Sequence, residues 1–163
     1  IDIASDIHFV GQLSTIIKTV FVDIRQIPPL HLDIFQPIKG NILSLPFKDN
    51  FVQSLSCLHV AEHIGLGRYD RQLDPYGTKK GCQELARILA KDGSLYFSIP
   101  VGKPCLYFNA LRVHSPQQII EYFNGLSLVE LSGVDDDWNY IENISLSILQ
   151  NSYCACGLFH FRK

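Results

Sequence analysis

The sequence lacks several features that would place it in a special class of protein. It contains no methionine, one tryptophan and a formal net charge of −2 over 163 residues. This near-neutral balance gives no electrostatic reason to expect a nucleic-acid partner. No apolar run approaches the roughly 18 residues that a membrane-spanning helix needs, so we expect no membrane segment. Because the chain has no methionine and opens on an apolar residue, we also expect that it lacks its natural N-terminus.

Cysteine is scarce and odd in number, which argues against a disulfide framework. Three of the five cysteines, Cys57, Cys82 and Cys105, lie in or beside apolar segments, as buried thiols do. Cys154 and Cys156 are separated by one residue in a predicted strand, so their side chains point to opposite faces. That geometry suits neither a mutual disulfide nor a shared metal ion, and we predict no metal site. Reduced thiols are typical of the cytoplasm, where we expect the protein.

Helical and extended patterns alternate along the chain, which favours an α/β fold. A chain of 163 residues is expected to form one domain, spanning residues 1–163. The segment 26–39 holds three prolines and is predicted to be a loop, so one crossover helix is expected to be absent. The predicted strands are residues 1–5, 19–24, 41–45, 52–58, 94–99, 126–131 and 155–161, and the predicted helices are residues 7–18, 78–91, 116–125 and 144–149.

The stretch from Gly40 to Ile64, GNILSLPFKDNFVQSLSCLHVAEHI, is the most informative part of the chain. It reads as a strand, a tight loop, a second strand and a polar turn that carries Glu62 and His63. In open α/β sheets, ligands bind beyond the carboxyl ends of the strands, where this turn falls. An imidazole has a suitable pKa for proton transfer, and a neighbouring carboxylate can orient it.

This stretch resembles the middle of class I S-adenosylmethionine (SAM) dependent methyltransferases. In those enzymes a Leu-Pro-Phe-x-Asp segment, here Leu45–Asp49, crosses from the third strand to the fourth, and a Glu-His pair often follows. The resemblance covers most of residues 1–102. It implies a Rossmann-like three-layer α/β sandwich with a mostly parallel sheet and an antiparallel last strand. It also implies SAM as the cofactor.

The whole chain is also similar to a small methyltransferase-like family whose reaction is not established. The segments that carry this second resemblance are SDIHFVGQLST, SCLHVAEHIGLGRYDRQLDPYGTKKG and ACGLFHF. Some members of that family are encoded among surface-polysaccharide genes. The resemblance therefore implies a sugar hydroxyl or a related small polar metabolite as the acceptor.

Asp23 ends the second predicted strand, where a carboxylate can accept hydrogen bonds from the ribose hydroxyls of a nucleoside. The alternative is a strand-end carboxylate that pairs with Arg25. By the methyltransferase resemblance, Asp23 and Ile24 hold the SAM ribose, and Leu58 lies against the cofactor. The same resemblance places Asn41, Ile42 and Leu43 around the adenine, with the alternative that they form an ordinary strand and turn.

The first predicted turn aligns with the methyltransferase motif Asp-x-Gly-x-Gly. Asp2 and Ser5 fit the pattern, whereas Ala4 and Asp6 stand where the glycines would be. Glycine is favoured there because it adopts positive φ and lets the backbone approach the cofactor. The resemblance assigns Asp2, Ala4, Ser5 and Asp6 to the methionine part of SAM, and Asp6 can accept from its ammonium group. Alternatively, Ser5 or Asp6 caps the following helix.

His59, Glu62 and His63 follow the fourth predicted strand, where donor and acceptor meet in the resembling enzymes. Transfer of a methyl group to a hydroxyl needs alignment and a base. We therefore interpret His63 or His59 as a candidate base that Glu62 orients. The alternative is a structural Glu-His pair that braces the turn.

The long polar segment 65–81 and the segment after the fifth strand supply candidate acceptor-binding residues. If residues 109–114 are extended, Arg112 and His114 share one side. Together with three residues of the long segment they are predicted to form a rim for an anionic or sugar-like acceptor, and the alternative is surface charges with a capping histidine. The three residues are Arg68, Tyr69 and Tyr76.

These observations lead to two function hypotheses of different classes. The first is a SAM-dependent methyltransferase acting on a small polar acceptor. The second is a methyltransferase-like domain without activity that serves as a binding or assembly module, which the glycine-poor first turn favours. An enzyme acting on nucleotide sugars in the same crevice is a third option. The sequence gives no indication of the oligomeric state.

Overall fold

Helices and strands alternate in the computed structural model of the protein, which describes residues 1–28, 33–67 and 73–163. A short 3₁₀ turn, Ala61–His63, follows the fourth strand. The strands of the described residues are β1 (Asp2–Ile3), β2 (Thr19–Asp23), β3 (Phe35–Lys39), β4 (Val52–Leu58), β5 (Leu89–Val101), β6 (Cys105–Tyr107), β7 (Leu111–Val113), β8 (Ser127–Val134), β9 (Tyr140–Ile141) and β10 (Ala155–Arg162). The helices are α1 (Ile7–Ser14), α2 (Gly77–Ile88), α3 (Pro116–Tyr122) and α4 (Leu146–Asn151).

Eight of the described strands form the main sheet, in the order β3-β2-β1-β4-β5-β10-β8-β9. The pairs from β3 through β5 are parallel. β10 is antiparallel to both of its neighbours, β5 and β8. The predicted α/β sandwich, with a mostly parallel sheet and an antiparallel last strand, is confirmed. No helix of the described residues is both long enough and apolar enough to cross a membrane.

The sheet has apolar packing on both faces, which makes the fold three layers deep. Phe21 and Val22 are successive residues of β2, and their side chains point to opposite faces. Phe21 packs with Val10 of α1, whereas Val22 joins the larger cluster that contains Leu85 of α2. The two helices α1 and α2 therefore lie on opposite faces of the sheet. The carboxyl ends of β1, β2 and β4 line a cavity at the edge of the sheet.

The third strand lies earlier in the chain than predicted. Residues 35–39 form β3 at the edge of the sheet, within a segment that was expected to be a loop because of its prolines. Pro37 is compatible with β3 because an edge strand tolerates a missing N–H on its outer side. The predicted strand 41–45 is wrong: Asn41 starts a turn, in which its Oδ1 accepts from Leu43 N–H at 2.9 Å and its carbonyl accepts from Ser44 N–H at 2.8 Å.

The prediction that α2 runs to about Lys91 and stops at Gly93 is also wrong. The helix ends at Ile88, and Leu89 is already extended, at φ −64° and ψ 128°. Leu89 pairs with Val52 of β4, and the register then shifts before Ser94 pairs with Ser54. Both Leu89 and Ala90 are buried, so their packing in the sheet outweighs the helical pattern that the sequence continues.

Candidate functional site

A cavity of about 520 Å³ opens at the edge of the sheet where β1, β2 and β4 end. Small-molecule sites in proteins typically enclose about 300–1,000 Å³ and are largely apolar, and this cavity has that character. It also lies where ligands bind in open α/β sheets, beyond the carboxyl ends of the strands. The lining residues are Ile3, Ala4, Ser5, Asp6, Ile7, Phe9, Val22, Asp23, Ile24, Arg25, Gly40, Asn41, Ile42, Leu58, His59, Val60, His63 and Ile64.

The turn after β1 forms one wall of the cavity. Ala4 has φ +55°, the left-handed conformation for which related motifs use glycine. Asp6 has φ −56° and caps α1, accepting from His8 N–H at 2.9 Å and from Phe9 N–H at 3.2 Å. Of the two positions where glycine is missing, only the one occupied by Ala4 requires a left-handed backbone.

Asp2 stabilises this turn through hydrogen bonds and does not line the cavity. Its buried carboxylate accepts from the backbone N–H and the hydroxyl of Ser5, at 3.0 and 2.7 Å, and from the hydroxyl of Ser56 at 2.7 Å. Ser5 Oγ in turn accepts from Leu58 N–H at 2.9 Å. Burial raises the pKa of Asp2, and the hydrogen bonds from Ser56 and Ser5 oppose that change. This network ties the first turn to the end of β4.

Asp23 lies at the end of β2 with 3% of its side chain exposed, and it lines the cavity. Arg25 approaches it twice: the backbone N–H donates to Oδ1 at 2.7 Å, and the guanidinium donates to Oδ2 at 2.7 Å. Burial alone would raise the pKa of Asp23, but the hydrogen bonds and the charge of Arg25 outweigh it and lower that pKa. The structure thus contains the pairing with Arg25 that the sequence offered as the alternative to ribose binding.

The predicted adenine-binding residues divide between the cavity and the core. Asn41 and Ile42 line the cavity, as do Ile24 and Leu58. Leu43 is partly buried and packs against the main apolar cluster. Asn41 still lies just beyond the end of the third strand, as predicted, because Gly40 and Asn41 directly follow β3.

The polar turn after β4 brings its two histidines to one carboxylate. His59 has φ +56°, which turns the chain sharply at the end of the strand. Its Nδ1 lies 3.4 Å from Glu62 Oε1, and His63 Nε2 lies 3.8 Å from the same oxygen. Glu62 is 2% exposed and does not line the cavity, whereas both histidines do. His63 Nδ1 is 2.7 Å from the carbonyl oxygen of Ala110, in the loop between β6 and β7.

The predicted acceptor rim is not assembled at the cavity by the described residues. Arg112 donates to the carbonyls of Ile64, Gly65 and Asp74 at 2.7, 3.1 and 2.8 Å, and so braces the chain that enters and leaves the long segment. His114 is buried, and its ring meets Tyr122 edge-on at 5.5 Å between centroids. Tyr76 is 65% exposed at the start of α2. Arg68 and Tyr69 lie outside the described residues.

Some residues at the site were missed by sequence reasoning. Phe9 lines the cavity from the first turn of α1, and its position just after the β1 turn was the available signal. Cys156 contacts His59, with 3.2 Å between Sγ and Nε2, across 97 residues of sequence. Only the sheet order reveals that contact. No group of three or more metal-ligating side chains is found in residues 1–28, 33–67 and 73–163.

The fold is that of class I SAM-dependent methyltransferases over essentially the whole chain. The [4+2]-cyclase SpnF superposes with a TM-score of 0.71 at 11% identity, covering 99% of this chain and 74% of SpnF. YcgJ of Bacillus subtilis gives 0.65 at 15% identity, with 99% and 90% covered. The N-methyltransferase NodS of Bradyrhizobium japonicum, in complex with S-adenosylhomocysteine (SAH), gives 0.62 at 14% identity, with 99% and 76% covered. At these identities the likeness shows the fold alone.

The chain belongs to the family described as Caenorhabditis protein of unknown function, DUF268, whose model matches residues 41–151. A comparison with curated protein sequences gives no match. The structural relatives include both an N-methyltransferase and a cyclase, so the fold hosts more than one reaction. Function therefore has to be argued from the site.

Proposed function

We propose that the protein is a SAM-dependent methyltransferase that acts on a small polar acceptor, with a sugar hydroxyl as the acceptor class to test first. The observation that carries this proposal is one cavity that joins the first turn, the acid at the end of β2 and the histidines after β4. These three features come from separate parts of the sequence.

The residues around the cavity fit the cofactor. Ala4 adopts the left-handed backbone that the glycine of the motif provides in related proteins. Asp23 offers a buried carboxylate for a pair of hydroxyl groups, and Ile42 and Leu58 supply apolar walls for a flat ring. Asn41 can both donate and accept a hydrogen bond at its amide. When bound, the cofactor supplies a methyl group on a positively charged sulfur.

The two histidines differ in their suitability as the base. Contacts with Cys156 and Glu62 raise the pKa of His59 to about 10, so His59 carries a proton near neutral pH and is unsuited to accept another. His63 is the better candidate. Its ring lines the cavity, and Nδ1 lies 2.7 Å from the carbonyl oxygen of Ala110, which orients the imidazole. The Glu62 carboxylate, 3.8 Å from Nε2, then stabilises the imidazolium that forms.

The second candidate function is a binding or assembly module without activity. The pairing of Asp23 with Arg25 favours it, because the carboxylate proposed for the ribose already has a partner. The first candidate requires the Arg25 guanidinium to move away when the ribose hydroxyls reach Asp23, and its side chain is 67% exposed and has solvent to turn into.

Isothermal titration calorimetry with SAM and SAH tests the proposal. We expect both ligands to bind the wild-type chain. Asp23→Ala should weaken binding about tenfold or more, since a hydrogen bond to a charged group contributes about 1.5–3 kcal/mol. Asp137→Ala, which removes an exposed carboxylate outside the cavity, is the matched control and should bind as the wild type does.

Two outcomes would count against this assignment in different ways. Absence of both heat and thermal shift at millimolar ligand would refute the cofactor and leave the binding module as the better candidate. Binding that Asp23→Ala leaves unchanged would refute the ribose assignment alone. If binding is found, release of SAH in the presence of candidate sugars identifies the acceptor.

A further inference from the structure

Cys156 lies near the start of β10, at the edge of the sheet where β4 ends. β10 runs antiparallel to β5, so its first residues meet the carboxyl end of that strand: Cys156 pairs with Pro100 and Leu158 with Ser98. Ser98 also pairs with Leu58, the last residue of β4. The thiol is therefore carried by a regular strand of the sheet to the polar turn that follows β4.

A histidine connects this thiol to a buried carboxylate. His59 Nε2 lies 3.2 Å from Cys156 Sγ, and Nδ1 on the other side of the ring lies 3.4 Å from Glu62 Oε1. The backbone N–H of His59 donates to the carbonyl of Ser98 at 3.0 Å, which fixes the start of the turn. A thiol, an imidazole and a carboxylate thus stand in line, and a neighbouring protonated imidazole is one of the environments that activate a cysteine nucleophile.

Glu62 is buried, which distinguishes these three side chains from a cluster of polar groups on the surface. It is 98% buried, and among the described residues no group hydrogen-bonds to its Oε2. A buried carboxylate is costly unless positive charge stabilises it. Protonated His59 provides that charge, in agreement with the pKa of His59, which the contacts with Cys156 and Glu62 raise to about 10.

We propose that Cys156, His59 and Glu62 form a nucleophilic-cysteine site that takes an electrophilic carbon beside the polar turn that follows β4. Cys156 attacks as the thiolate after its proton is released to solvent, the Nε2–H of protonated His59 faces the sulfur at 3.2 Å, and Glu62 Oε1 lies 3.4 Å from Nδ1. The sulfur forms an S–C bond while the bond between that carbon and its leaving group breaks, and the leaving group departs with the bonding electron pair. Cys156 is the reacting residue, and Glu62 is a positioning residue that acts through His59.

The other cysteines provide internal references. Cys57 and Cys82 are fully buried, whereas Cys105 and Cys154 are exposed. Within the described residues neither exposed cysteine is hydrogen-bonded to a histidine. If exposure alone set reactivity, Cys105 and Cys154 would therefore react before the half-buried Cys156.

The test is the rate of alkylation by iodoacetamide at pH 7, followed for each cysteine by peptide mass spectrometry. We expect Cys156 in the folded protein to react about tenfold or more faster than Cys105, because the thiolate is the reacting species and a neighbouring imidazolium favours it. In the urea-unfolded chain the two should react alike. Cys154→Ser, the matched control, should leave the Cys156 rate unchanged.

His59→Gly separates activation from folding. Glycine suits the φ of +56° at this position, so the variant should fold, and it leaves space for a free imidazole. The Cys156 rate should fall to that of Cys105 and recover when imidazole is added. Glu62→Gln should lower the Cys156 rate without abolishing it, and Glu62→Asp, which keeps the charge, should restore part of it.

Equal rates for Cys156 and Cys105 in the folded wild type would overturn the proposal, as would a His59→Gly variant that reacts like the wild type. The test uses no SAM, so this proposal can fail while the methyltransferase proposal stands, and the reverse also holds.

Discussion

Ala4 shows at the residue scale how a departure from a motif is accommodated. Two glycines of the methyltransferase pattern are missing, but they are missing for different structural reasons. Asp6 has φ −56° and caps α1, so no glycine is needed there. Ala4 has φ +55° and remains in the left-handed region, where an L-residue costs about 1–2 kcal/mol. The Asp2–Ser5–Ser56 network holds the turn despite that cost.

Ala4→Gly should therefore stabilise the protein. Glycine removes the strain at φ +55° but gains backbone entropy in the unfolded chain, so we expect a net increase of about 0.5–1 kcal/mol in the free energy of unfolding. Urea denaturation measures it. Ala86→Gly in α2 is the control of opposite sign, with an expected loss of about 1 kcal/mol. A loss of stability in Ala4→Gly would contradict the strain at Ala4.

The residues of the candidate site were predictable to different degrees for a physical reason. Asp23 and Asn41 could be found because the end of a strand is a local feature of the sequence. The partner of His59 could not, because its contact with Cys156 depends on where β10 enters the sheet. The burial of His114 could not be predicted for the same reason, because the ring that packs against it belongs to Tyr122 at the end of α3.

At the scale of elements, the most local signals gave the most accurate boundaries. β4 has the predicted bounds, and α3 begins as predicted because Ser115 and Gln118 form a capping box around Pro116. The β6–β7 hairpin was missed because all of β6 is exposed and β7 is buried only at Val113, so neither strand shows a regular alternation of buried and exposed side chains. Strands this short are stabilised mainly by contacts with other parts of the chain.

Arg112 provides those contacts, because it joins β7 to both ends of the long segment that precedes α2. Gly65 and Gly77 let the two ends approach: a Cβ at Gly65 would lie 2.2 Å from the Asp74 carbonyl oxygen, and a Cβ at Gly77 would lie 2.6 Å from that of Ile64. The guanidinium then bonds three carbonyls at that junction. The hairpin is in this way joined to residues 64–65 and to Asp74.

Arg112→Ala should reduce the free energy of unfolding by about 2–3 kcal/mol, because it leaves partly buried carbonyls without their charged donor. Hydrogen exchange at residues 64–66 and 73–76 should accelerate in the variant. Arg162→Ala, on the exposed end of β10, should change neither quantity by more than about 0.5 kcal/mol. An unchanged exchange rate at residues 64–66 would show that Arg112 does not hold the junction.

At the scale of the whole molecule, His114 couples folding to pH. It bridges Val101 of β5 and packs on Tyr122 of α3, and its Nε2 has no hydrogen-bond partner among the described residues. Burial, with a smaller effect from the charge of Arg112, lowers the pKa of His114 to about 4 from an ordinary value of 6.5. Between these values the unfolded chain binds a proton that the folded chain does not, so stability falls as pH drops.

We expect the free energy of unfolding to decrease by up to about 3 kcal/mol between pH 7 and pH 4.5, at about 1.4 kcal/mol per pKa unit. Urea titrations at several pH values measure this slope. His114→Phe, which keeps the ring against Tyr122, should flatten the slope, whereas His8→Asn on the exposed side of α1 should not. Parallel profiles for His114→Phe and the wild type would exclude His114 as the source.

The position of β10 between β5 and β8 has a consequence for how the protein is made. A ribosome releases β5 and β8 well before β10, so until the residues after Ala155 emerge, both strands have open edges with no neighbour to bridge them. Until then the sheet cannot be continuous from β5 to β8, and the Cys156 thiol cannot contact His59. Closure of the sheet and completion of the Cys156–His59–Glu62 site are then one event, and it takes place only after β10 has left the ribosome.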